Sequence, residues 1–177
     1  MTRLQLAKLI QWAGTFRSRK RMQKICFLLQ ANGCPLDLDY YLDSIGPYSQ
    51  DLAHVTNEMT LLGLLEEEAE GPAFQQRFNY RLTEKAKRQL DEIEESGTPP
   101  DLKQMAPYDL EFRQLLEIDV QELQHAATLV YFLLSGTERS QAIEQICNQK
   151  GWAEIPECVL AVADRIMART VGAQCPV

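Results

Sequence analysis

Two histidines, His54 and His125, and five cysteines, at 26, 34, 147, 158 and 175, are the residues of this chain best suited to nucleophilic or metal chemistry. A nucleophile of that kind needs a Ser or Cys beside a His, with a third group orienting the ring. His54 has Asp51 and Glu58 three and four residues away, on one helical face, while His125 has Gln121, Glu122 and Leu129 as its neighbours. Neither lies in a recognisable nucleophile motif, so His54 reads as a surface residue and His125 as a helix-packing one. The cysteines form no CxxC pair, and two histidines cannot complete a zinc spacing. Cys26, Cys147 and Cys158 fall in apolar helical patterns, where a free thiol behaves as a small hydrophobe. No Gly-rich phosphate loop is present. The expectation is a protein with no catalytic residue, no metal and no cofactor, in a reducing cytoplasm. A hydrolase using His54 is the weakest alternative.

Charge offers more than nucleophiles do. The run FRSRKRMQK places Arg17, Arg19, Lys20, Arg21 and Lys24 around a helix N-terminus. Exposed backbone N–H groups and cations there suit an anion, nucleic acid or acidic partner. The competing reading is a solvated face whose arginines pair with acids elsewhere in the chain. Residues 1–36 carry a local charge of +7, residues 37–100 carry −9 and residues 101–177 carry −5. That split predicts a bipolar surface.

The elements that must position these residues follow from periodicity. Residues 2–13 read as a helix, and Ser18 as the N-cap of a second helix through Ala31, with Met22, Ile25, Cys26 and Leu29 as its buried stripe. Residues 38–45 read as a short strand and Gly46-Pro47 as a turn. Ser49 caps a third helix whose inward stripe is Leu52, Val55, Met59 and Leu62, and whose outward face is Gln50, Asp51, His54, Asn57 and Glu58. A hairpin of 64–69 with 76–82 follows, with Phe78, Tyr80 and Leu82 inward, and Thr83 caps a fourth helix. This order predicts a mainly α chain with a winged helix-turn-helix-like domain over 1–95. Residues 96–100 (SGTPP) read as a linker. An all-α unit over 101–177, packed on the first domain, has helices near 107–117, 119–135, 138–150 and 156–169.

No apolar run approaches the ~20 residues of a membrane span. The N-terminus is amphipathic rather than built like a signal peptide. The apolar stretches LVYFLL at 129–134 and CVLAVADRIM at 158–167 read as core, with a homodimer face as the alternative.

Four segments, RKRMQKICFLL at 19–29, GPYSQDL at 46–52, LLGLLEE at 61–67 and YRLTEKA at 80–86, occur in this order. Together with AATLVYFLL and AIEQICNQKGW they resemble the YwgA-like group of uncharacterised bacterial proteins, and they are similar to the Panacea domain, which includes proposed antitoxins. The resemblance implies a winged-helix-like fold and, by way of Panacea, a toxin as partner; it implies little chemistry. This chain has YYLDSI before the GPYS turn where Tyr-Asp-Phe is frequent.

The third helix bears on what a partner could be. A helix that reads DNA neutralises phosphates with Lys or Arg, yet this one exposes Asp51 and Glu58 and no base. The wing adds Glu66, Glu67, Glu68 and Glu70 against Arg77 and Arg81. Nucleic acid is therefore disfavoured through this helix, and a protein partner is expected. The alternative is a DNA-binding regulator approaching through residues 17–24. Tyr48, with Tyr40 or Tyr41, is a further candidate contact, since Tyr is favoured at interfaces.

Overall fold

The structure, a computed structural model, describes residues 1–72 and 76–172. Helix α1 (Arg3–Ala13) opens on a capping box, in which the Thr2 hydroxyl accepts from the Gln5 backbone N–H and the Gln5 side chain accepts from that of Thr2. A two-residue strand, β1 (Phe16–Arg17), leads to Ser18, which caps α2 (Arg19–Ala31). A short hairpin of β2 (Tyr41–Asp43) and β3 (Gly46–Tyr48) follows, and Ser49 caps α3 (Gln50–Leu61). The wing is β4 (Leu65–Glu70) with β5 (Arg77–Leu82), and Thr83 caps α4 (Glu84–Gly97). Beyond Thr98-Pro99 come α5 (Pro100–Met105), a 3-10 turn over Ala106–Tyr108, α6 (Asp109–Glu117), α7 (Val120–Leu134), α8 (Arg139–Lys150) and α9 (Glu157–Gly172). The chain is mainly α, with a small antiparallel sheet in the order β1-β5-β4 that gives a winged-helix-like region.

Several expectations need correction. The strand expected over 38–45 covers Tyr41–Asp43 alone, and it pairs with Gly46–Tyr48 in a separate hairpin. The chain turns at Ser44-Ile45, not at Gly46-Pro47. Both strands of so small a hairpin are edges, so Pro47 is tolerated although it cannot donate. The third strand of the wing sheet is Phe16–Arg17, whose Phe16 lies opposite Tyr80. Two residues are too few to show a period-2 pattern. Leu62, expected inward, is 48% exposed because it lies past the last helical turn. Thr56 is buried instead, its hydroxyl donating to the Leu52 carbonyl at 2.7 Å. The linker is shorter than expected, because α4 runs through Gly97 and α5 begins at Pro100. Helix α5 was not anticipated; Leu102 and Met105 are buried, and α5 packs on α1.

One contiguous core holds these elements. Eight consecutive residues of α2, Met22 to Leu29, are buried, so this helix is enclosed on all sides rather than half-buried along one stripe. α7 covers one side of it, and the wing sheet and α6 cover others. Phe112 of α6 packs edge-on against Phe16 at 5.7 Å and tilted against Trp12 at 5.6 Å. α7 packs on both α2 and α9, with Leu129, Val130, Val159 and Ile166 buried, while Leu134 at the end of the α7 stretch is exposed. Cys175 lies outside the described residues.

Candidate functional site

Three of the five bases of the run are bonded to other parts of the fold, Arg19 from an exposed position. Arg19 lies over the Phe78 ring at 4.1 Å, donates through Nε to the Tyr80 hydroxyl, and pairs with Glu67 at 2.7 Å. Tyr80 shares a further hydrogen bond with Glu67. Burial pushes the Glu67 carboxyl up, but the bonds from Tyr80 and Arg19 hold it below its usual range. Arg21 donates through one nitrogen to the carbonyls of Leu116 (2.8 Å) and Ile118 (2.7 Å), closing the end of α6. Two further pairs, Lys8 with Glu94 at 2.7 Å and Arg3 with Glu58 at 3.7 Å, join the basic N-terminal segment to acids of residues 37–100.

Lys24 departs furthest from its expected place. It is fully buried and donates to the Pro47 carbonyl at 2.6 Å, so it offers no charge to a partner. Burial pulls its pKa down to about 8; Lys20 adds to that shift and Asp43 opposes it. Among the described residues, no side-chain hydrogen bond or ion pair engages Arg17 or Lys20 of the run.

Next to Lys24, Gln23 is a residue that sequence patterning did not single out. Its buried side-chain amide donates to the Ser49 carbonyl at 2.9 Å and accepts from the Ser49 N–H at 2.8 Å. Gln23 and Lys24 therefore grip the GPYS segment from α2. From the other side, Gly46 abuts α7. A Cβ on Gly46 would lie 2.6 Å from the Thr128 Oγ1, and its φ of +91° is one that L side chains rarely adopt. Ser49 then caps α3 through the Leu52 N–H. The segments 19–29 and 46–52 are thus in direct contact through hydrogen bonds.

The start of α2, the β2–β3 hairpin, α3 and the wing enclose a groove of about 300 Å³. Arg19, Lys20 and Gln23 come from α2, Ile45 and Tyr48 from the hairpin, Leu52, Ala53 and Asn57 from α3, and Glu67 and Tyr80 from the wing. The groove brings together Arg19, Lys20, Tyr48 and Asn57 from the sequence candidates. It leaves out Arg17, Arg21, Lys24, Gln50, Asp51, His54 and Glu58. Gln50, Asp51 and His54 are exposed on α3 outside it, and Tyr48 stacks edge-on against Tyr41 at 5.7 Å. Tyr40 turns inward to Phe27 at 5.0 Å, so Tyr41 is the tyrosine that joins Tyr48.

His125 is buried with its ring edge-on to Trp152 at 4.5 Å. Burial pushes the Cys26 thiol up and the Cys34 thiol to about 12, which disfavours thiolate chemistry at either. Among the described residues, no three His, Cys, Asp or Glu side chains gather as a metal site. No helix among them is long and apolar enough to cross a membrane.

The fold and the groove define a mainly α protein with a winged-helix-like region. In comparison with known proteins, the chain matches no family model, and no curated protein matches it in sequence.

Proposed function

We propose that the chain is a non-enzymatic binding protein that uses its winged-helix-like region for contact with another protein. The partner seats an apolar side chain in the groove between α2, α3 and the wing. The carrying observation is the make-up of that groove. Its walls include Met22, Ile45, Leu52 and Ala53, and its Arg19 is already bonded to Tyr80 and Glu67. An apolar pocket rimmed by polar groups suits a buried side-chain anchor. A phosphate backbone would need free cations instead. Three of the five bases of the run are committed to partners within the fold, and the outward face of α3 adds the negative charge of Asp51. Toxin neutralisation is the form that the Panacea-like resemblance would give this reading, and DNA regulation through Arg17 and Lys20 is the alternative.

Ala53→Arg, which fills the groove, tests the reading. Proteins captured from a native extract by the wild type are compared with those captured by the variant, beside a random DNA duplex titrated at about 50 and about 200 mM salt. The expected result is a protein captured by the wild type and lost by the variant. The duplex should bind no tighter than the ~10⁻⁴ M at the weak end of non-specific binders. Salt-sensitive DNA binding that disappears in a Lys20→Glu, Arg17→Glu double variant would move the function to a DNA regulator.

A further inference from the structure

A second cleft, of about 340 Å³, lies on the opposite side of the β2–β3 hairpin. Its volume is that of a small-ligand pocket. The hairpin contributes Asp43 and Ser44, α7 contributes Gln124, His125 and Thr128, and Gln149 of α8 closes it. Gln124 is 4% exposed, and its Oε1 is buried with no hydrogen-bond partner. A buried acceptor without a donor carries an unmet desolvation cost, which a donor arriving with a ligand would relieve.

The charge of the lining points the same way. Among the described residues that line the cleft, Asp43 is the carboxylate and none is Lys or Arg. The nearest buried cation, Lys24, lies behind Gly46 with its ammonium on the Pro47 carbonyl, and it is not part of the lining. The cleft thus offers one carboxylate, two hydroxyls, two side-chain amides and the His125 ring. We propose that it binds a small molecule bearing a primary ammonium or guanidinium group. The N–H groups of that ligand are given to the Asp43 carboxylate and to the Gln124 amide, and Ser44 and Gln149 meet its remaining polar atoms. A guanidinium satisfies this set best, because its planar fork presents several donors at once to a carboxylate and an amide oxygen. The site has its own lining, on the other side of the hairpin from the groove.

Agmatine serves as the probe, with glutarate and glucose as an anionic and a neutral control of similar size. Amide resonances of the full chain are followed by NMR during each titration, and binding is repeated with Asp43→Asn and Gln124→Met. Asp43 is exposed, so its variant keeps the fold; unchanged thermal unfolding identifies a Gln124→Met protein that is still native. Saturable shifts confined to the hairpin turn, α7 and α8 are expected with agmatine alone. Affinity should drop at least fivefold in Asp43→Asn and in Gln124→Met. Should agmatine cause no saturable shift, or glutarate bind as well as agmatine, the proposal is overturned. Affinity unaltered in Asp43→Asn overturns it too.

Discussion

The GPYS junction and the wing both depend on polar contacts, yet they differ in what surrounds those contacts. At the junction, Gln23 meets Ser49 twice and Lys24 meets Pro47, all four residues being buried or held against α7 and α2. On the wing, Arg81 reaches Glu66 at 3.8 Å and Glu68 at 3.2 Å, and all three side chains are about half exposed. Water competes freely for the wing contacts and far less for those of the buried junction. The lesson is that the number of polar pairs says little about their importance; the medium does. The acidic wing, conspicuous in the sequence, is energetically loose, while an amide and an ammonium hidden inside a basic run organise the fold.

The largest test of that contrast is Gly46→Ala. The added methyl meets the Thr128 hydroxyl and forces an alanine to a φ of +91°, so a loss of about 2–4 kcal/mol is expected in denaturant unfolding. A variant as stable as the wild type would mean that the junction yields as easily as the wing.

Lys24 supplies the second test through pH. Its pKa of about 8 in the folded chain lies below the unfolded value of 10.5. Between the two, the unfolded chain holds a proton that the folded chain has released, so the contribution of Lys24 to stability rises with pH across that window. Lys20 and Asp43 are the charged groups that act on it. The raised acids Cys34 and Tyr40 push the other way at high pH, but they are common to the wild type and to Lys24→Met. The stability difference between those two proteins should therefore shift toward the wild type by about 3 kcal/mol from pH 7.5 to 10.5. A flat difference would mean that the ammonium stays charged and hydrated.

The smallest effect is expected on the wing. Arg81→Ala removes two exposed pairs and should cost at most about 0.5 kcal/mol in the same unfolding measurement. A loss comparable with that of Gly46→Ala would erase the contrast.

Signals in the sequence are legible where they act locally. Ser18, Ser49 and Thr83 each precede a helix they cap, because a cap needs only neighbours three residues on. The wing alternation of Phe78, Tyr80 and Leu82 likewise survives as half-buried, buried and buried. What escaped depends on distant segments. The amide partner of Gln23 lies 26 residues away, and the cover over Lys24 and Gly46 comes from α7, about 100 residues downstream. No spacing within FRSRKRMQK distinguishes the cation that goes inside from those that stay out. Five like charges therefore read as one site, although hydrogen bonds to distant segments take up Arg19, Arg21 and Lys24, and Lys24 alone of the five is buried.

The β2–β3 hairpin gives these local details a wider reach. Ile45 and Tyr48 face the groove, while Asp43, Ser44 and Gly46 face the second cleft. A segment of eight residues is thus a shared partition, clamped at its base by Gln23 and Lys24 and free at its tip. Any tilt of that partition that widens one chamber narrows the other, so substitutions in the hairpin cannot reshape either chamber in isolation.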